Sequence, residues 1–252
     1  ATVEDIESTT DKLMWYKDGD TLYFSILEGS DLAINPIVIP LGRLTASRKR
    51  NVELRNMQFL YTGLQSTNLT GIIENVSVGF TNLPGAIQYD YCVGLTFRNC
   101  EVFASNNDGF NGHTSGGGRT SVVFENCYGH DNSDDGESCH EYCEVVHKGG
   151  LFEYNGSGVT PASGGHATCY YVTVRKNGDH PWTTGKAGTG FSAQGAPIDG
   201  GAVTNILCFN CISEGNIIGY RGNDNSSRFI NCISKGDTTG FGVGEQINSM
   251  TI

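Results

Sequence analysis

The amino-acid sequence predicts an all-β solenoid of about eight coils. Three observations predict it. Glycine is frequent, 35 of 252 residues, while proline is scarce at 6. An Asn-Cys pair recurs along the chain, followed at near-constant distance by Gly. Helical periodicity is almost absent, whereas strand-like alternation is common, as in Val52-Glu53-Leu54 and Ser121-Val122-Val123-Phe124.

The repeat carries most of the weight. Four segments share the pair: Phe97-Arg98-Asn99-Cys100, Phe124-Glu125-Asn126-Cys127, Phe209-Asn210-Cys211 and Ile230-Asn231-Cys232. A fifth, Ile73-Glu74-Asn75-Val76, has Val in place of Cys. Gly85, Gly109 and Gly136 stand ten residues after Asn75, Asn99 and Asn126; Gly219 and Gly240 stand nine after Asn210 and Asn231. Strand-opening glycines at 85, 109, 136, 158, 190, 219 and 240 lie 24, 27, 22, 32, 29 and 21 residues apart. A period of 21–27 residues fits one coil of short strands and sharp corners, without room for a crossover helix. The longer intervals carry loop insertions that leave the coil. Asn and Gly suit the corners, which need positive φ. Asn at one repeated position predicts a ladder of stacked amides. Cys beside it suits a narrow interior slot, as a small buried apolar residue. An ordinary β-sandwich would not repeat its spacing in this way.

Residues 1–50 are less regular and read as N-terminal strands, a cap or a first coil; residues 51–252 form the solenoid. The segment from Trp15 to Phe24 reads as a hairpin around Asp18-Gly19. Ile34 to Ile39 reads as an irregular first coil. No capping amphipathic helix is visible, so residues 1–50 cover the open end or the chain is a piece of a longer protein.

The formal net charge is −11, with only Arg48, Lys49 and Arg50 clustered among the cations. That disfavours nucleic acid, whose phosphates need clustered cations. No apolar run approaches the roughly 20 residues of a membrane span, and no stretch reads as a signal peptide. Nine cysteines are an odd number and lack paired zinc spacing. They read as free thiols, folded in a reducing compartment.

The coil pattern resembles the right-handed parallel β-helix, the pectate-lyase-like superfamily, over roughly residues 50–245. The resemblance implies a single-stranded right-handed parallel β-helix whose substrate lies on a polar outer face. That fold houses pectate lyases, polygalacturonases, pectin esterases, alginate epimerases and phage tailspike depolymerases, and fold alone does not choose among them. The Asn-Thr-Asp and Gly-His-Gly motifs of polygalacturonases are missing, as is the Asp-Pro-His-Asp block of alginate epimerases. The segments Asp108 to His113 and Asp134 to His140 resemble coils in bacterial and phage β-helix proteins.

Aligning the strands on their glycines sorts the side chains. One residue after Gly stand Phe110, Glu137, Val159, Phe191, Tyr220 and Phe241; three after stand Gly112, Cys139, Pro161, Ala193, Gly222 and Val243. These columns should face inward, and Glu137 breaks the pattern unless its strand twists out. Alternate residues should face outward: Asn111, Ser138, Thr160, Ser192 and Arg221, then His113, His140, Ala162, Gln194 and Asn223. His113 and His140 share a column on adjacent coils, as do Asp108 and Asp135. The expectation is that both pairs gather at one end of a polar stripe, as a catalytic set. Paired carboxylates push their pKa values apart, so one serves as acid while the other stays charged. An imidazole beside them serves as acid or base near neutral pH. The same acids, with Asp134 and Asn107, also offer an oxygen set for Ca²⁺. Asn111, Ser138, Trp182, Gln194, Arg221 and Asn223 are the substrate-binding candidates. Trp182 lies on an inserted loop suited to stacking on a sugar. Arg221 suits a sugar carboxylate or pairing with Asp224. All six histidines, His113, His130, His140, His147, His166 and His180, fall within about a quarter of the chain.

Two readings stand. One is a lyase or hydrolase of an acidic polysaccharide. The other is a non-catalytic tailspike or adhesin segment, extracellular or on a virion, binding surface glycans as a homotrimer.

Overall fold

A computed structural model describes residues 15–18, 21–24, 42–47, 50–114, 118–179, 188–195, 203–224 and 226–252. Trp15–Asp18 and Thr21–Phe24 form the expected antiparallel hairpin. From Gly42–Ser47 onward the chain winds as a parallel β-solenoid of about 8 turns, with no helix among the described residues.

One flank is a nine-stranded parallel sheet. Its strands are Gly42–Ser47, Thr62–Thr67, Gly85–Asp90, Asp108–Gly112, Asp135–His140, Ser157–Ala162, Thr189–Ser192, Ile218–Arg221 and Thr239–Phe241. The other two flanks form one 16-stranded sheet, because Gly71–Gly79 bends through the corner and belongs to both. The bend falls at Asn75, whose φ is 53°. Asn99, Asn126, Asn210 and Asn231 take the same left-handed conformation at the same corner of later coils. Asn tolerates this conformation better than most residues with a Cβ. The amide ladder is shorter than the sequence suggests. Nδ2 of Asn75 donates to Oδ1 of Asn56 at 2.9 Å, and Asn99 to Asn75 at 3.3 Å.

All nine cysteines are free and buried. Those beside the corner also make a repeated bond. Sγ of Cys100, Cys127, Cys211 and Cys232 donates to the backbone oxygen of Ile73, Phe97, Cys169 and Cys208, one coil back, at 3.3–3.5 Å. Each acceptor stands two residues before the corner of its own coil. Ser249 makes the same bond to Phe229 at 2.7 Å, so the position selects a slim donor.

A second ladder, invisible in the repeat, lies inside the molecule. The fully buried amides of Asn132, Asn155, Asn177 and Asn216 pass hydrogen bonds along the axis to Asp237, at 2.8, 3.3, 3.0 and 3.2 Å. Their oxygens also accept backbone N–H groups of the preceding coil, including Ser105, Asn132, Asn155 and Asn177. The turn's inward-facing donors are thereby satisfied, as buried polar groups must be.

The core is a stack of columns. Phe110, Glu137, Val159, Phe191, Tyr220 and Phe241 pair in register, as the glycine alignment predicts. Phe191 stacks on Tyr220 at 5.1 Å and Tyr220 on Phe241 at 4.7 Å. Val243 departs from its column and is exposed, because it lies past the last paired residue of its strand.

Candidate functional site

The outer side of the nine-stranded sheet keeps the predicted columns in register. Asn111 pairs with Ser138, Ser138 with Thr160, and Ser192 with Arg221. His140 pairs with Ala162, and Ala162 bridges to Gln194. The expected open stripe needs correction, however. Asn111, Ser138, Thr160 and Ser192 are only 0–2% exposed. Three of these short side chains bond sideways into neighbouring coils: Asn111 Nδ2 to the Pro84 oxygen at 3.0 Å, Ser138 Oγ to the Thr160 oxygen at 3.3 Å and Thr160 Oγ1 to Asp135 at 3.2 Å, while the Ser192 hydroxyl is buried without a partner. Gln194 is half-buried, and Arg221 and Asn223 are exposed.

The two candidate pairs do not gather at one end. Asp108 and Asp135 begin their strands, while His113 and His140 stand five residues later. At about 3.3 Å per residue, roughly 16 Å of strand separates them. They stand at opposite ends of two central strands, along opposite long edges of the sheet face, as two clusters.

At the first edge, carboxylate oxygens of Asp108, Asp134 and Asp135 lie within 4.8 Å of one another. Gly109 and Gly136 explain how the acids come to face outward. A Cβ on Gly109 would sit 2.6 Å from Val102 Cγ2 and 2.8 Å from Asn132 Nδ2, both interior groups. The glycine therefore turns in at the corner, and the preceding acid turns out. Asp108 is 5% exposed and Asp135 9%. Asp108 accepts the backbone N–H of Asp135 at 3.1 Å, and Asp135 accepts from Thr160 Oγ1 at 3.2 Å. Burial pushes the Asp108 carboxyl well above the usual carboxylate range, and the charges of Asp135 and Asp134 push it further. The set is all oxygen, the kind Ca²⁺ takes, but the Asn107 carbonyl is already engaged by the Asp134 N–H.

At the second edge, the rings of His113 and His140 stack with centroids 4.2 Å apart and planes within 12°. Glu141, in the left-handed corner with φ 57°, swings its carboxylate back onto the previous coil. It accepts the Thr114 N–H at 2.9 Å and faces His113 Nδ1 at 3.4 Å. His140 Nε2 meets Ser138 Oγ at 2.9 Å. Burial, then the neighbouring His113, lowers the His140 pKa to about 4. Asp90 anchors the strand by accepting the His113 N–H at 3.1 Å; burial holds its carboxyl above the ordinary range. Glu141 and Asp90 are not evident in the sequence, where an acid at a corner reads as a solvated turn.

The other candidates disperse. Glu137 does not twist out. It stays in the core, where Tyr89 donates its hydroxyl at 2.5 Å and His147 Nε2 lies 3.3 Å away. His147 is therefore an interior residue, stacked on Phe124 at 4.7 Å. His130 sits on the third flank between Asp131 and Glu101, at 2.6 and 3.3 Å. His166 bonds Asn205 on the second flank at 3.0 Å. Arg221 makes no ion pair with a described residue; Asp224 instead holds Ser226 at 2.8 Å and 2.5 Å. Trp182, His180 and the segment from Ile34 to Ile39 lie outside the described residues.

No family model matches the chain, and no curated protein or solved structure matches it.

Proposed function

We propose that this is a carbohydrate-active protein of the pectate-lyase-like kind, cleaving an acidic polysaccharide laid across the coils of the nine-stranded sheet. The observation that carries the reading is the acidic edge. Asp108 is buried beside two more carboxyl groups within 4.8 Å, and burial, then their charges, favour its neutral form. A carboxyl that stays protonated next to a second one is a general acid beside its partner. In hydrolysis, Asp108 protonates the glycosidic oxygen, and Asp135 with Asp134 supplies the opposing carboxylate. Their separation is nearer the roughly 5 Å of retaining enzymes than the wider spacing of inverting ones. In elimination, one carboxylate instead removes the proton next to the sugar's own carboxylate, whose charge a cation or an arginine must neutralise. Arg221 lies three strands from Asp135, roughly 14 Å along the axis, where it would grip a more distant uronate.

The test is a panel of acidic and neutral polysaccharides, followed by reducing ends and by the ultraviolet absorbance of unsaturated uronates. Absorbance identifies a lyase and reducing ends alone a hydrolase. Asp108→Asn should lose about 10²- to 10⁴-fold in rate. Full activity in that variant would remove Asp108 from the mechanism.

One observation favours a second reading, a glycan-binding shaft without catalysis. The Asn111, Ser138, Thr160 and Ser192 column is buried against its own coils, so it builds the stack and leaves the substrate few contacts. Glycan binding without product, by a chain that sediments as a trimer, would support this reading.

A further inference from the structure

We infer that His113, His140 and Glu141 form a binding site for a divalent transition-metal ion of the Zn²⁺ class. One ligand atom from each lies within 4.8 Å of the others. Two imidazoles and one carboxylate make a three-ligand set that leaves a coordination position open. Mixed nitrogen and oxygen donors favour a transition ion over Ca²⁺ or Mg²⁺, which take oxygen. The ligands are also held from behind, as metal ligands usually are. Ser138 Oγ occupies Nε2 of His140, leaving Nδ1 without a described partner, and the Thr114 N–H fixes the Glu141 carboxylate. The His113 side chain is 41% exposed and that of Glu141 18%, so an ion reaches the site from solvent. An imidazole lone pair lies in the ring plane, so binding must tilt the two rings out of their parallel stack. The site is at the opposite edge of the sheet from Asp108 and does not depend on the polysaccharide reading.

The test is calorimetric titration of Zn²⁺ into the chelator-treated full chain, with Co²⁺ absorption as a second readout. We expect one ion per chain, visible Co²⁺ bands of nitrogen ligation, and retention in excess Ca²⁺. His113→Ala and His140→Ala should each weaken binding by at least about tenfold, and Glu141→Gln by about tenfold. Circular dichroism checks each variant's fold. If one unfolds, histidine resonances of the unmodified chain decide, since Zn²⁺ should shift two of the six. No saturable binding would overturn the inference. So would binding that survives loss of both imidazoles, that leaves histidine resonances unmoved, or that Ca²⁺ displaces, the last placing the ion on the aspartates.

Discussion

Two stretches of one interior column solve the same packing problem differently. Toward the C-terminal coils, Phe191, Tyr220 and Phe241 stack ring on ring. Two coils before Phe191 the position belongs to Glu137, which the register holds inside. There the space is filled by a polar trio, Tyr89, Glu137 and His147, packed among Phe97, Phe124 and Phe152. Burial, then the Glu137 charge, raises the Tyr89 hydroxyl pKa well above its usual value. The aromatic stack gains from dispersion and dehydration and tolerates imprecision. The polar trio gains only if every partner is present, and it holds one flaw: His147 Nδ1 is buried without a partner. A solenoid position thus specifies a direction and a volume, while chemistry is free to vary when neighbouring flanks supply complementary groups.

The contrast is broken most severely by removing one partner. His147→Ala should cost about 3–5 kcal/mol, because Glu137 is left buried with Tyr89 alone. Glu137→Val together with His147→Val and Tyr89→Phe, which replaces the whole trio by apolar groups, should cost far less, or stabilise by about 1–4 kcal/mol, since it makes this coil resemble its neighbours. Urea unfolding of both variants measures the difference; equal losses would show that the trio does not act as a unit. Phe191→Ala, in the aromatic stretch, should cost about 3–5 kcal/mol with no such rescue by a second substitution.

A smaller effect sharpens the comparison in the buried amides. Asn155→Ala leaves the Asn132 N–H and amide without their acceptor, at a cost of about 1–3 kcal/mol. Amide hydrogen exchange should rise at Asn132 while distant coils keep their protection. The last effect is pH-dependent and concerns Asp108. Its folded pKa is raised, so between the ordinary carboxylate pKa and its elevated folded value the native state binds more protons than the unfolded chain. Stability therefore falls as pH rises through that window. Asp108→Asn should remove the fall, about 1.4 kcal/mol for each unit of elevation. Melting temperatures of both proteins across pH check the sign.

Much of this was legible because a coil repeats. The glycine spacing fixed the register of Phe110, Val159, Phe191 and Tyr220, and the Asn residues marked left-handed corners. The interior ladder was not legible. Asn155 and Asn216 precede their glycines by three residues, but Asn177 stands thirteen before Gly190 because an insertion intervenes. Glu137 resisted for another reason. Its partners are 48 and 10 residues away, on other coils and flanks, and a sequence pattern records position but not who answers across the core. At the outer face, alternation named the columns correctly. It did not show that small side chains would be covered, or that five residues of strand would hold Asp108 apart from His113.

The thiols beside the corners carry a consequence of their own. Each is sealed inside a coil and tied to the turn before it, so an alkylating reagent reaches it only when that coil opens. Spread from Cys100 to Cys232, they form a built-in scale of local fraying along the axis. The order in which they become labelled would tell where the spring uncoils first.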